Sequence, residues 1–350
     1  MSGTPPAIPA VAAVRGAVAA IPGAGAAGST VALPPLEERS LRFEAMGGNM
    51  LLRVATEPGD VEAADRTLHH VAARIGVWAA RLTRFDQGSE LCRLNAEATR
   101  PSTTISPTMA ALLARAQDLW ARTGGLVDVT LLEERLAAEH GTTIPGERGH
   151  GMAVPEVGIR WWLEPATSHP GRRGRWRVHR DLPTVFDLDG VGKGWIADRA
   201  LEALGSFPAV LVDADGDIAM RGDERVSWGV AIADPAGGDD VALLARPVDR
   251  APGRLGMATS GTTVFRWSFE GGWAHHLIDP RTGNSAGTDV VQATVIADGA
   301  LLAEAMAKAA VIAGSDDAWR LLDGPGIHAA FLLRDDGRLL TTEGGMAWLA

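Results

Sequence analysis

The sequence predicts a mixed α/β (α+β) fold. Segments that alternate apolar and polar residues are interleaved with segments of helical period, in an order that is not a simple βαβ array. The final elements read as a helix followed by a hairpin, and no internal repeat is present. Regular patterning starts near Leu41. Residues 41–56 alternate like a strand, interrupted at Met46-Gly47-Gly48. Residues 61–83 predict a helix with Val61, Leu68, Val71, Ile75 and Leu82 on its apolar face. A second helix is marked by Ser106 as N-cap, Pro107 at the first position, the apolar row Met109, Leu112, Leu113 and Ala116, and a stop at Gly124-Gly125. Residues 141–182 are rich in Gly, Pro, Arg and Trp and predict a variable loop or hairpin, with short strands near Ile159–Leu163 and Trp176–His179. A turn at Asp187–Gly194 then leads into a helix from Trp195 to Leu204. Strands are expected at Ala209–Asp213, Val226–Ala233, Gly256–Thr259, Thr263–Phe269 and Val290–Ile296. A helix follows at Ala300–Ala313, and a hairpin turns at Asp335-Asp336-Gly337 between Ala329–Leu333 and Arg338–Thr342.

Composition narrows the class of function. The chain has 350 residues, 46% of them hydrophobic, enough for a substantial core. Its net charge of -10 argues against nucleic-acid binding, whose usual footprint is a basic stripe. The densest basic cluster, Arg172, Arg173, Arg175 and Arg177, lies among Gly, Pro and Trp residues and reads as a solvated loop or hairpin. The single cysteine, Cys92, excludes an intrachain disulfide and any multi-cysteine metal site, and reads as a packed thiol. With no tyrosine and 11 tryptophans, aromatic stacking falls to Trp, Phe or His. Residues 1–38 are expected to form a disordered Ala/Gly/Pro-rich tail, because Pro5, Pro6, Pro9 and Pro22 interrupt the apolar run that a secretory signal needs. No later stretch is long and apolar enough to span a membrane, and the expected location is cytoplasmic.

The chemistry concentrates in short segments. Asp187-Leu188-Asp189-Gly190-Val191-Gly192-Lys193-Gly194 runs into a helix. Glycines there let backbone N–H groups approach a phosphate, the helix N-terminus favours an anion, and Lys193 adds positive charge. By itself the segment is also compatible with an ordinary glycine turn, since it has neither Walker nor Rossmann spacing. Thr259-Ser260-Gly261 reads as a hairpin turn. His275-His276-Leu277-Ile278-Asp279-Pro280-Arg281-Thr282-Gly283 combines turn residues with a histidine suited to carrying a proton. The helix near the end holds Glu304 and Lys308.

In their order and spacing these segments, with Asp213-Ala214-Asp215-Gly216-Asp217 and Ala258-Thr259-Ser260-Gly261, resemble the FAD:protein FMN transferases of the ApbE type. Earlier segments resemble the same family: Ala45-Met46-Gly47, then Phe85-Asp86 with Ser89-Glu90-Leu91 and Arg93-Leu94-Asn95, then Thr123-Gly124-Gly125-Leu126-Val127-Asp128-Val129-Thr130. The resemblance spans about residue 41 to the C-terminus and makes residues 39–350 one transferase domain. It implies two lobes with the flavin in the cleft between them. It also implies cleavage of FAD with magnesium and attachment of FMN through a phosphoester to a threonine of a target protein.

Carried over residue by residue, Met46 and Phe85 would lie beside the flavin nucleotide, with Phe85 standing where the family often has tyrosine. Leu126 and Val127 would contact FAD through backbone, as would Ile278. Asp128, Asp187 and Lys193 would contact FAD too, Lys193 near phosphate. His276 would assist proton transfer from the incoming threonine. Magnesium would be held by the Gly190 carbonyl and Glu304. The late helix departs from the family here: Glu304 and Lys308 replace an aspartate and a threonine that both bind the metal. Charged lysine has no lone pair to offer a cation, and Glu followed by Lys at i,i+4 is a favourable helix ion pair. Asp189, Gly192 and Asp215 are further departures, and the two aspartates add negative charge near an expected pyrophosphate. The alternative is therefore a non-catalytic FAD-binding protein, a flavin carrier or sensor with a degenerate metal site.

Overall fold

The structure is a computed structural model, and it describes residues 18–21, 35–141, 160–166, 174–223, 225–235, 241–245, 254–269 and 272–348. Its centre is an eight-stranded sheet ordered Leu339–Thr341, Ile327–Arg334, Val290–Ala297, Leu255–Gly261, Asp217–Arg221, Ala209–Ala214, Gly48–Thr56 and Glu37–Ala45. Every neighbouring pair is antiparallel.

The side-chain period of two sorts the sheet into two cores. Leu52, Val54, Val210, Val212, Ala258 and Val295 face one side, packed with the helices Val61–Leu82, Gly192–Ala203 and Ala300–Ala313. Leu51, Ala55, Leu211, Met220, Met257 and Ile296 face the other, covered by Trp228, Val230 and Ile232. Those three belong to Ser227–Ile232, the centre of a second sheet that pairs with Val18–Ile21 and Val241–Ala245. Val18–Ile21 lies within the segment expected as a tail; residues 1–17 and 22–34 of that segment fall outside the described residues.

Helices follow their sequence signals. Ser106 Oγ accepts the Met109 N–H at 3.2 Å, and Pro107 begins the helix Pro107–Arg122. The helix Ala300–Ala313 has no cap from its own chain end. Asp198, on the neighbouring helix, accepts from the N–H groups of Ala300 and Leu301 at 3.0 and 3.2 Å instead.

Some expectations are corrected. Thr259-Ser260-Gly261 is strand, not turn: it ends Leu255–Gly261 and pairs with Thr294, Ala293 and Gln292. The helix after the glycine turn starts at Gly192 rather than Trp195. Val241–Ala245 and the short helices Glu90–Ala96 and Leu132–Glu139 add elements that the apolar period is too short to mark. The strands around 141–182 are Trp161–Pro165 and Trp176–Arg180, joined to Ser102–Ile105 in a three-stranded sheet, whereas Arg172 and Arg173 lie outside the described residues. Among the described residues, no helix is long and apolar enough to cross a membrane.

Candidate active site

The glycine turn sits where two helices meet. Gly194 lies in the first turn of Gly192–Ala203, and a Cβ there would stand 2.8 Å from the Ala300 carbonyl, Leu301 Cα and Glu304 Oε2. Only glycine permits this approach. It lets the Gly194 N–H donate to Glu304 Oε2 at 3.0 Å, which anchors a carboxylate that is only 2% exposed. The other Glu304 oxygen, Oε1, accepts from Lys308 Nζ at 2.7 Å, and the same ammonium donates to the Gly190 carbonyl at 2.7 Å. Glu304 and Gly190 are thus brought together as expected, with a lysine between them.

Lys193 follows on the same turn. Its Nζ donates to Asp215 Oδ2 at 2.8 Å, and the other Asp215 oxygen accepts the Asn49 N–H at 3.3 Å. Burial opposes the Lys193 ammonium, but the Asp217 and Asp215 carboxylates outweigh it and raise its pKa. Asp217, beneath, is held well above the ordinary carboxylate range by burial first and by Glu304 second. Burial also pushes Asp213 up to about 6, against the hydrogen bond it receives from the Gly216 N–H. Met46 tops the hairpin in a left-handed conformation, φ 55°, and its Cε reaches to 3.0 Å from where a Gly192 Cβ would be. The unusual glycine at 192 therefore gives the methionine its seat.

The segment Leu126–Thr130 joins the turn through the Asp187 N–H, which donates to the Val129 carbonyl at 2.8 Å. Leu126 and Val127 are buried, and the Val127 N–H is engaged by Thr123 Oγ1 at 3.1 Å, so any backbone contact with a ligand falls to the carbonyls. Asp128 Oδ1 accepts from both the N–H and the hydroxyl of Thr130, closing an Asx turn at 2.8 and 2.7 Å. Asp187 rises to about 6, mainly by burial and then by the Asp189 charge. Arg84 opposes that charge: its Nε is 3.1 Å from Asp189 and 4.0 Å from Asp187, and its other end meets Glu139 at 2.5 Å. The Arg84 guanidinium also lies over the Phe85 ring, centroid distance 4.2 Å, and Phe85 is 74% exposed, open to stacking.

His276 is half-buried, with Nδ1 itself shut from solvent and without a hydrogen-bond partner among the described residues. Burial, then the charges of Arg135 and Lys308, lower its pKa to about 3. Phe265 packs edge-on against it at 5.4 Å, in a left-handed conformation of φ 48°, a strained choice for an aromatic residue. Neighbouring His275 has a structural duty, with Nε2 on the Ala286 carbonyl at 3.0 Å and Nδ1 on the Leu277 N–H at 3.3 Å. Ile278 is buried with Ala138 and Ala274, which ties this segment to the helix Leu132–Glu139. Sequence reasoning missed Arg84, Arg135, Glu139 and Phe265. Arg84 had a signal, its place beside Phe85; the others had none, because their partners lie far away in the chain.

A divalent ion does not fit these residues. Its two expected oxygen donors already share one ammonium at 2.7 Å each, and an added cation would face that charge at contact distance. Among the described residues, no group of three or more His, Cys, Asp or Glu side chains converges as a metal site.

The comparisons with known proteins identify the family and the fold. The sequence profile of the ApbE family matches residues 46–331. The FAD:protein FMN transferase of Escherichia coli is 26% identical over 267 residues, covering 73% of each chain. The protein of the same description from Klebsiella pneumoniae is 25% identical over 350 residues, covering 97% of this chain and 95% of that one. Among solved structures, the ApbE protein of Thermotoga maritima superposes with a TM-score of 0.72 at 20% identity, over 90% of this chain and all of that one. The flavinyl transferase ApbE of Pseudomonas stutzeri gives 0.70 at 20% identity, over 89% and 96%.

Proposed function

Because this chain belongs to the ApbE family, we propose that it is an FAD:protein FMN transferase that cleaves FAD and attaches FMN by a phosphoester bond to a threonine of a target protein. The observation that carries the reading is the glycine turn at a helix N-terminus, flanked by Lys193 and Lys308 and close enough to His276 for Lys308 to depress its pKa. A pyrophosphate placed there meets two ammonium groups and the positive end of a helix.

In the transfer, the threonine hydroxyl oxygen bonds to the FMN phosphorus. The bond from that phosphorus to the bridging oxygen breaks, and AMP leaves with the electron pair. The hydroxyl proton goes to His276. With the ring proton on the Val264 side, Nδ1 carries the free lone pair. The imidazole is a weak base in the free protein because burial and two cations disfavour its charged form. The negative charge of bound pyrophosphate acts in the opposite sense and raises its basicity when a substrate is present. Phe85 offers its exposed face to the isoalloxazine ring, and Met46 closes over the glycine turn. The flavin would lie in the cleft between two lobes, and the reaction would take place in the cytoplasm.

The Lys308–Glu304 contact favours a second reading, FAD binding without transfer. Incubation with FAD and a threonine-bearing acceptor peptide, with Mg²⁺ or with EDTA, separates the two. An FMN adduct by mass spectrometry with released AMP supports the transferase; bound, intact FAD and no adduct in either condition supports the carrier.

A further inference from the structure

We propose that the Lys308 ammonium is the built-in cation of the pyrophosphate site and that this chain binds FAD without a divalent metal. The inference rests on the FAD-binding reading of the same site.

The geometry points to it in three ways. The ammonium sits 2.7 Å from both the Gly190 carbonyl and Glu304 Oε1, the two oxygens placed to receive a cation. It is held there rather than loosely paired. Glu304 is fixed from behind by the Gly194 N–H at 3.0 Å, and the Lys308 stem passes the Gly190 backbone with Cε 3.6 Å from a Cβ position. Finally, an ammonium has three donors, and two are used. The third has no partner among the described residues, and Lys308 is 15% exposed, so one N–H remains for an anion that enters the turn. A lysine that merely neutralised a buried glutamate would not need the Gly190 carbonyl as well.

Lysine brings one positive charge where a divalent ion brings two. Lys193, bonded to Asp215 on the adjoining side of the turn, is the second ammonium of the site. Each is already paired with a carboxylate, so what the two offer a pyrophosphate is N–H donors rather than uncompensated charge.

The test is titration of FAD into the full chain, followed by flavin fluorescence, in EDTA and in Mg²⁺, together with Mn²⁺ binding followed by electron paramagnetic resonance. FAD affinity is expected to agree within about twofold between the two conditions, a difference too small to reflect an ion bridging the phosphates. The protein is expected to take up no stoichiometric Mn²⁺, with FAD or without it. Lys308→Thr should bind FAD at least about tenfold more weakly in EDTA and recover with Mn²⁺, which then gives a bound signal. Loss of wild-type FAD binding in EDTA, or stoichiometric Mn²⁺ in the wild-type complex, overturns the metal-free site and leaves the FAD reading standing. Absence of FAD binding in both conditions sinks the FAD reading and the proposal with it. Should Lys308→Thr fail to fold, the wild-type measurements decide alone.

Discussion

Replacing Lys308 with methionine removes the ammonium and keeps most of the stem. Glu304, 2% exposed, is then left with a single hydrogen bond from Gly194. Removing one member of a buried ion pair costs about 3–5 kcal/mol, because the remaining charge has neither water nor partner. Lys308 retains 15% exposure, so water reaches the edge of the pair and the lower end, about 3 kcal/mol, is the expected loss. Adding Glu304→Gln removes the stranded charge while keeping an oxygen for the Gly194 N–H. The double variant should recover most of the loss, since a neutral pair of similar volume is often no worse than the ion pair. Urea unfolding of the wild type, both single variants and the double variant gives the coupling energy directly. If Lys308→Met is as stable as the double variant, Glu304 is not relying on the ammonium, and the pair is not the fixed unit described above.

Further outcomes follow from the same geometry. Gly194→Ala should lose about 1–3 kcal/mol and weaken FAD binding, because its Cβ would meet three atoms at 2.8 Å, two of them backbone; unchanged stability by urea unfolding would contradict the close helix contact. His276, lowered to about 3 from 6.5, binds fewer protons folded than unfolded between those values, so its contribution to stability is lost as pH falls from about 6.5 toward 3. Nuclear magnetic resonance of the free protein should show His276 neutral throughout the range from about pH 5 to 8, and a titration near 6.5 would refute the buried site. FAD binding near pH 6 should take up protons, because an incoming pyrophosphate raises Asp187 and Asp213, both at about 6, and His276 from below. Calorimetry in buffers of different ionisation enthalpy measures this, and proton release would show that the anion binds elsewhere.

Much of the scaffold could be read from the sequence because its signals are local. Ser106-Pro107 marks the start of one helix and the apolar row from Leu68 to Ile75 the buried face of another, whereas residues 41–56, expected as one interrupted strand, belong to the hairpin of Glu37–Ala45 and Gly48–Thr56. The glycine turn and its neighbours were also found by local pattern, and the structure brings Asp187, Gly190, Lys193 and Glu304 around one helix terminus. What local pattern does not carry is the pairing of charges. Arg84 meets Asp189 across 105 positions and Glu139 across 55, and no period in the chain announces either contact. Thr-Ser-Gly is common in turns, yet pairing of Ser260 with Ala293 in the Val290–Ala297 strand overrides that preference. The i,i+4 pairing of Glu304 with Lys308 was visible in the sequence; the Gly190 carbonyl that completes it was not.

The lysines of the site are paired one by one with carboxylates although the chain as a whole is acidic. Burial and the neighbouring Glu304 push the Asp217 pKa well up, while Glu304 and Asp215 each hold one lysine. Each of those two carboxylates is thus matched to an ammonium group inside a chain of net charge -10. The two aspartates that depart from the family act in opposite ways: Asp215 orients Lys193, whereas Asp189 is answered by Arg84 outside the turn. Each added negative charge comes with a fixed positive partner. A site that carries its own cations in this way has no need of an ion to offset those aspartates.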